Sequence, residues 1–67
     1  MNLIEGLQEE IDRVNEIINV YDSLPKNAGA FASLSMKISI DVAKKAMANG
    51  DTIRMIGALS GLKEYEL

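Results

Sequence analysis

The chain has 67 residues, a formal charge of −3 and 48% hydrophobic residues, so it is too apolar for a disordered protein and forms at most one small domain. The absence of cysteine and histidine excludes disulfides and removes the usual zinc ligands. A domain this small usually needs further stabilisation, so we expect a homo-oligomer. No apolar run approaches the roughly 18 residues of a membrane span and no secretory leader is recognisable, so we expect a cytoplasmic protein with no membrane partner.

The first predicted helix spans about residues 2–24. Asn2 followed by Glu5 is typical of a helix start, and Pro25 favours an end near Leu24. Apolar residues occupy the a and d positions of successive heptads, at Ile4, Leu7, Ile11, Val14, Ile18 and Tyr21. We expect these residues to form a coiled-coil-like seam that needs a partner copy, because a chain this short offers little surface to cover it.

The second predicted helix spans about residues 30–49. Strict alternation of apolar and polar residues from Leu34 to Val42 is also typical of a strand, but a single strand would have no partner within the chain. As a helix, the segment has apolar ridges on nearly opposite sides. One ridge holds Met36, Ile40, Ala43 and Met47, and the other holds Phe31, Leu34, Ile38 and Val42. One side can pack on the first helix and the other needs a neighbouring subunit; we place Met36, Ile40 and Met47 in the oligomer interface.

The third predicted helix spans about residues 52–64. Asn49-Gly50 indicates the end of the preceding helix, and Asp51 is a strong N-cap. The apolar face comprises Met55, Ile56, Leu59 and Leu62. A separate strip holds Gly57 and Gly61, whose spacing permits close approach of another helix and which we add to the predicted oligomer interface.

The residue inventory argues against catalysis. The chain has no histidine, no cysteine nucleophile and no glycine-rich phosphate loop. Its carboxylates are scattered along helix faces instead of being clustered for an oxygen-ligand metal site. We therefore predict no catalytic residues, no metal and no cofactor.

DNA binding is a second class of function that the sequence suggests. Ala46, Gly50, Ile53 and Ile56 have the spacing of a helix-turn-helix. However, Asp51 lies at the end that would face the bases, and the chain is acidic whereas phosphate contacts need basic residues. We expect a tight turn between two packed helices and no DNA partner.

A binding function remains, with Arg54, Tyr65, Lys26 and Phe31 as candidate ligand-binding residues. Arginine pairs with phosphate, and aromatic rings stack on bases. Arg54 and Tyr65 share one helical face across Gly61, and subunits that meet at the glycines would repeat these groups across a symmetric cleft. The alternative is a surface arginine, a frayed terminal tyrosine and a phenylalanine in the core.

One pattern runs through residues 21–66: Leu24-Pro25, Ala28-Gly29-Ala30-Phe31, Ala46-Met47-Ala48, Gly50-Asp51, Arg54-Met55 and Leu62-Lys63. It resembles a group of small phage and prophage accessory proteins, from which it departs by a longer, serine-rich stretch after Phe31. The resemblance implies a helical protein that acts stoichiometrically against a host system.

The sequence therefore predicts an all-α, three-helix homo-oligomer that binds its target without changing it. We expect a phage-type counter-defence protein in the host cytoplasm that sequesters a cyclic nucleotide or a cyclic ADP-ribose-type immune signal. The alternatives are an inhibitor that binds a host defence protein directly and a purely structural oligomerisation module.

Overall fold

A computed structural model describes residues 2–66 of the protein and contains three α-helices. They are α1 (Leu3–Asp22), α2 (Ala30–Ala48) and α3 (Thr52–Lys63), with a short 3₁₀ turn at Pro25–Asn27 between α1 and α2. The predicted all-α architecture is confirmed, and the strand alternative for Leu34 to Val42 is wrong because this segment lies inside α2. Within residues 2–66, no helix is long and apolar enough to cross a membrane.

The helix starts follow the capping residues. The Asn2 side chain accepts a hydrogen bond from the Glu5 backbone N–H at 2.8 Å, and the Asp51 carboxylate accepts one from the Arg54 backbone N–H at 3.1 Å. Each satisfies a donor that the first turn of a helix leaves free. The predicted caps are therefore confirmed.

The helix ends follow the backbone chemistry of the residues that come after them. α1 ends at Asp22, slightly before the predicted Leu24, because Leu24 takes the extended conformation that a following proline requires. α2 ends in a Schellman turn, in which Gly50 donates to the Met47 carbonyl and Asp51 to the Ala46 carbonyl. Gly50 has a φ of +63°, which glycine adopts without strain and which confirms the predicted stop.

The core lies where the three helices meet, and each helix contacts the other two. Its buried apolar residues are Leu7, Ile11, Val14, Ile17, Ile18, Met36, Ile40, Ala43, Ala46, Met55 and Leu62. The structure thus corrects one expectation about the seam of α1: α2 and α3 of the same chain cover most of it. Only Ile4, which is exposed, and Tyr21, which is half-buried, lie outside this core.

The two ridges of α2 have different environments. Met36 and Ile40 are buried against the other helices and Met47 is half-buried. The opposite ridge, which we call the α2 outer ridge, is exposed to solvent; it consists of Phe31, Leu34, Ile38 and Val42. The prediction of two apolar ridges on different sides of α2 is therefore confirmed, and the neighbouring subunit against the exposed ridge stays a prediction.

Arg13 joins the middle of α1 to the end of α3. Its guanidinium donates to the carbonyl oxygens of Tyr65 at 2.6 Å and Leu62 at 2.9 Å, and it pairs with Glu10 at 2.7 Å. The Leu62 carbonyl belongs to the last turn of α3 and the Tyr65 carbonyl lies just beyond that helix, where helical partners run out. Arg13 thereby fixes the carboxyl end of α3 on α1.

Candidate binding face

A groove of about 370 Å³ runs between α2 and α3 on the side away from α1. Its lining residues are Ile38, Ser39, Val42, Arg54, Gly57, Ala58 and Gly61. Ile38 and Val42 belong to the α2 outer ridge, so this wall is apolar. At Gly57 and Gly61, which we call the glycine strip, no heavy atom outside the adjacent residues and the nearby backbone of α3 lies within 4 Å of the position a Cβ would take. The missing side chains therefore leave the groove open.

Arg54 lies in the first turn of α3 and supplies the positive charge of the groove lining. Its Nε is 3.2 Å from an Asp51 carboxylate oxygen, and both residues are at the surface. A solvent-exposed ion pair contributes little to stability, so this contact restrains the guanidinium only weakly. The groove thus combines apolar walls with one accessible cation.

Tyr65 is anchored to α2. Its hydroxyl lies 3.0 Å from the Ser35 Oγ and 2.8 Å from the Ser39 Oγ, and the side chain is half-buried. The alternative of a frayed terminal tyrosine is therefore wrong. Ser39 lines the groove but Tyr65 does not, and the Tyr65 hydroxyl already has protein partners.

Lys26 and Phe31 do not line the groove. Lys26 is exposed in the 3₁₀ turn and has a φ of +58°. Phe31 is 87% exposed at the start of α2, so the alternative of a core phenylalanine is wrong. Of the four predicted ligand-binding residues, Arg54 alone lines the groove, and Tyr65 contacts its lining residue Ser39.

The predicted interface residues fall into two groups. Ile4, Gly57 and Gly61 are accessible. Leu7, Ile11, Val14, Ile18, Met36 and Ile40 are inside the core, with Tyr21 and Met47 half-buried beside it. A contact between copies through the buried group would need the helices to separate, so its role between subunits stays a prediction.

Sequence reasoning missed that the α2 outer ridge and α3 form one surface. The available signal was the second apolar ridge of α2 together with the small residues of the glycine strip. Ile53 lies one turn before Gly57 on α3 and is 84% exposed, and Ile56 is exposed as well. These isoleucines do not make the contacts that the helix-turn-helix spacing requires, and Ile56 does not belong to the buried face of α3 as predicted.

Charge is distributed unevenly over the molecule. α1 carries six acidic residues and one arginine, whereas α2 carries one aspartate and three lysines. Near the groove, Lys45 pairs with Asp41 at 3.1 Å as Arg54 does with Asp51. α2 and α3 together carry five basic residues and one aspartate, so their surface has a net positive charge, on which these two pairs of opposite sign lie.

The pKa of Asp22, at the end of α1, is shifted by its surroundings. The hydrogen bond from the Ser33 hydroxyl, helped by Lys37 at 3.3 Å, lowers the pKa of Asp22 below the ordinary value of 3.8. Ser33 is buried in the first turns of α2. This cluster ties α1 to α2 far from the groove, so it belongs to the fold and not to the candidate site. Across residues 2–66, no three ligating side chains are grouped as a metal site would need.

Comparison of the chain with family models, curated proteins and solved structures gives no match.

Proposed function

We propose that this chain is a non-catalytic binding protein that captures its target stoichiometrically at the surface formed by α2 and α3. The observation that supports this proposal most strongly is the α2 outer ridge, which is exposed beside a groove bordered by Arg54 and the glycine strip. Large apolar side chains grouped on a small protein mark interaction sites. The resemblance to phage accessory proteins alone supports counter-defence in the host cytoplasm as the biological setting.

The first candidate target is a nucleotide-derived signal such as a cyclic nucleotide or a cyclic ADP-ribose-type molecule. Its support is Arg54, which is exposed at the groove and paired only at the surface, so that a phosphate can compete with Asp51 for it. The apolar wall made by Ile38 and Val42 offers a surface against which a base can lie. Lys26 and Phe31 lie outside this groove, so they do not support a nucleotide site there.

The second candidate target is a host protein bound directly. Its support is the composition of the surface, since the groove is lined mainly by apolar atoms and small residues. Apolar grooves of this kind accept one side of an amphipathic helix.

Thermal unfolding with a panel of cyclic nucleotides and cyclic ADP-ribose-type ligands tests the first target. A ligand at 100 times its dissociation constant adds about 2.7 kcal/mol to the free energy of unfolding, so binding gives a shift of several degrees. We expect Arg54→Gln to remove the shift, whereas Lys44→Gln, which removes a cation away from this groove, keeps it.

No shift with any ligand of the panel contradicts the nucleotide target. In that case, a host protein that binds the wild-type chain but not Gly57→Leu supports the second target, because the leucine side chain extends into the groove from a Cβ position that no neighbouring helix contacts. Turnover of any ligand by the purified protein contradicts the proposed function as a whole.

A further inference from the structure

The α2 outer ridge and the α3 strip of Ile53, Gly57 and Gly61 form one apolar surface, which we call the α2–α3 face. We infer that a second copy of this chain packs its own α2–α3 face against it. This inference rests on the proposed function, with the second copy covering the apolar ridge and the target held at the interface between the two copies.

The size of the face is the first argument. The exposed fractions of the four ridge residues and Ile53 leave on the order of 500 Å² of apolar side-chain surface on one chain. A standard interface buries about 800 Å² per partner, of which roughly 56–58% is apolar. The α2–α3 face therefore supplies the apolar area that one side of a stable dimer needs.

The charge around the face is the second argument. Asp41 and Lys45 on α2, and Asp51 and Arg54 on α3, place both signs beside the apolar residues. Two identical faces can thus meet without a single-sign repulsion, and an acid of one copy can approach a base of the other. The acidic residues that give the chain its net charge lie mostly on α1, outside this contact.

The shape of the face is the third argument. In a two-fold symmetric contact the same surface is used by both subunits, so the ridge of each copy faces the groove of the other. No atom outside the adjacent residues and the nearby backbone of α3 lies within 4 Å of the Cβ positions of the glycine strip, which leaves room for the partner's ridge. Two glycines in one helix lower its intrinsic stability by about 1 kcal/mol each relative to alanine, and close packing of a second copy gives them a role.

This arrangement also bears on the target site. Arg54 borders the groove of each chain, so a symmetric pair has two guanidinium groups at one shared interface. A doubly charged phosphate compound held between subunits would then meet a cation from each copy.

Sedimentation velocity over a range of protein concentrations tests the inference with two matched variants. Ile38→Glu places a charge on the α2–α3 face, and Ile4→Glu places one on α1. The two isoleucines are 56% and 55% exposed, so the substitutions disturb the single chain to a similar extent. We expect a wild-type dimer, at least tenfold weaker association for Ile38→Glu and unchanged association for Ile4→Glu, with circular dichroism verifying that each variant remains helical.

A wild-type protein that stays monomeric at high concentration overturns the inference, as does an assembly that Ile38→Glu leaves intact. Association lost in Ile4→Glu but kept in Ile38→Glu would instead favour an interface on α1. The experiments separate this inference from the proposed function. A monomer that still binds a ligand or a host protein overturns the inferred dimer alone. A dimer that binds neither overturns the proposed target binding alone.

Discussion

Gly29 immediately precedes α2 and is buried against the last turns of α1. A Cβ at this position would lie 2.5 Å from the Tyr21 carbonyl oxygen and 2.8 Å from the Tyr21 Cβ. These are backbone or near-backbone atoms, so they can move apart only if α1 and α2 separate. The small size of residue 29 therefore sets how closely the two helices approach at the first turn.

Gly29→Ala should lower the free energy of unfolding by roughly 1–3 kcal/mol, the usual effect of overpacking in a site that cannot expand. Chemical denaturation measures this change. Gly61→Ala is the control, studied at low protein concentration to keep copies apart. Its new methyl group meets no atom of the chain, so helix propensity should raise stability by up to about 1 kcal/mol. Equal effects of the two variants would contradict this account of Gly29.

At the scale of the elements, side-chain hydrogen bonds and an ion pair link each helix to its neighbours. Arg13 on α1 donates to two carbonyls at the end of α3, and Tyr65, just beyond α3, is bound by serines of α2. Asp22 links the end of α1 to Ser33 and Lys37 of α2. α3 has only 12 residues, a length at which an isolated helix is marginal, so these links matter most for α3.

Arg13→Lys should destabilise the fold by about 1–3 kcal/mol, the typical contribution of hydrogen bonds to a charged group. Lysine keeps the charge beside Glu10, but it lacks the planar fork with which arginine reaches the Leu62 and Tyr65 carbonyls together. Urea denaturation compares this variant with Lys44→Arg, for which no change is expected. Hydrogen exchange at the end of α3 should accelerate in Arg13→Lys, and unchanged exchange there would count against the link.

The lowered pKa of Asp22 predicts that the free energy of unfolding depends on pH. Because its pKa is lowered in the folded state, its contribution is fully present above the ordinary value of 3.8 and is lost as pH falls through the lower folded value. Asp22→Asn should therefore be less stable than the wild type at neutral pH, and the difference should shrink as pH falls below 3.8. Paired denaturation curves from pH 7 to pH 2 measure this difference; a gap that does not change with pH would argue against the pKa shift.

At the scale of the whole molecule, the protein has two unlike sides. α1 carries most of the acids on its outer surface, whereas α2 and α3 carry a net positive charge and present an apolar ridge beside a groove. A domain of this length buries only about 60% of the surface its unfolded chain exposes, so a further apolar contact has a large effect on stability. Self-association through the α2–α3 face would supply that contact.

The melting temperature of the wild-type protein should rise with protein concentration, because unfolding of a dimer is coupled to dissociation. Ile38→Glu should melt at a temperature that does not depend on concentration. Differential scanning calorimetry across a hundredfold concentration range provides the comparison. Wild-type curves that superimpose over that range would contradict coupled association.

The sequence by itself determined the features that depend on neighbouring residues. Asn2 and Asp51 predicted where helices begin, Pro25 and Gly50 predicted where they end, and the period of the apolar residues predicted two ridges on α2. These predictions succeed because caps, turns and helical periodicity are set by backbone geometry over a few residues.

Only the tertiary structure decided which apolar surfaces are covered. The α1 seam seemed to require a second copy, yet α2 and α3 of the same chain bury most of it and leave the α2 outer ridge exposed instead. Likewise, nothing in the local sequence places the Tyr65 hydroxyl between Ser35 and Ser39, or Arg13 at the end of α3. The physical reason is that burial and these hydrogen bonds depend on packing between segments that are distant in the chain.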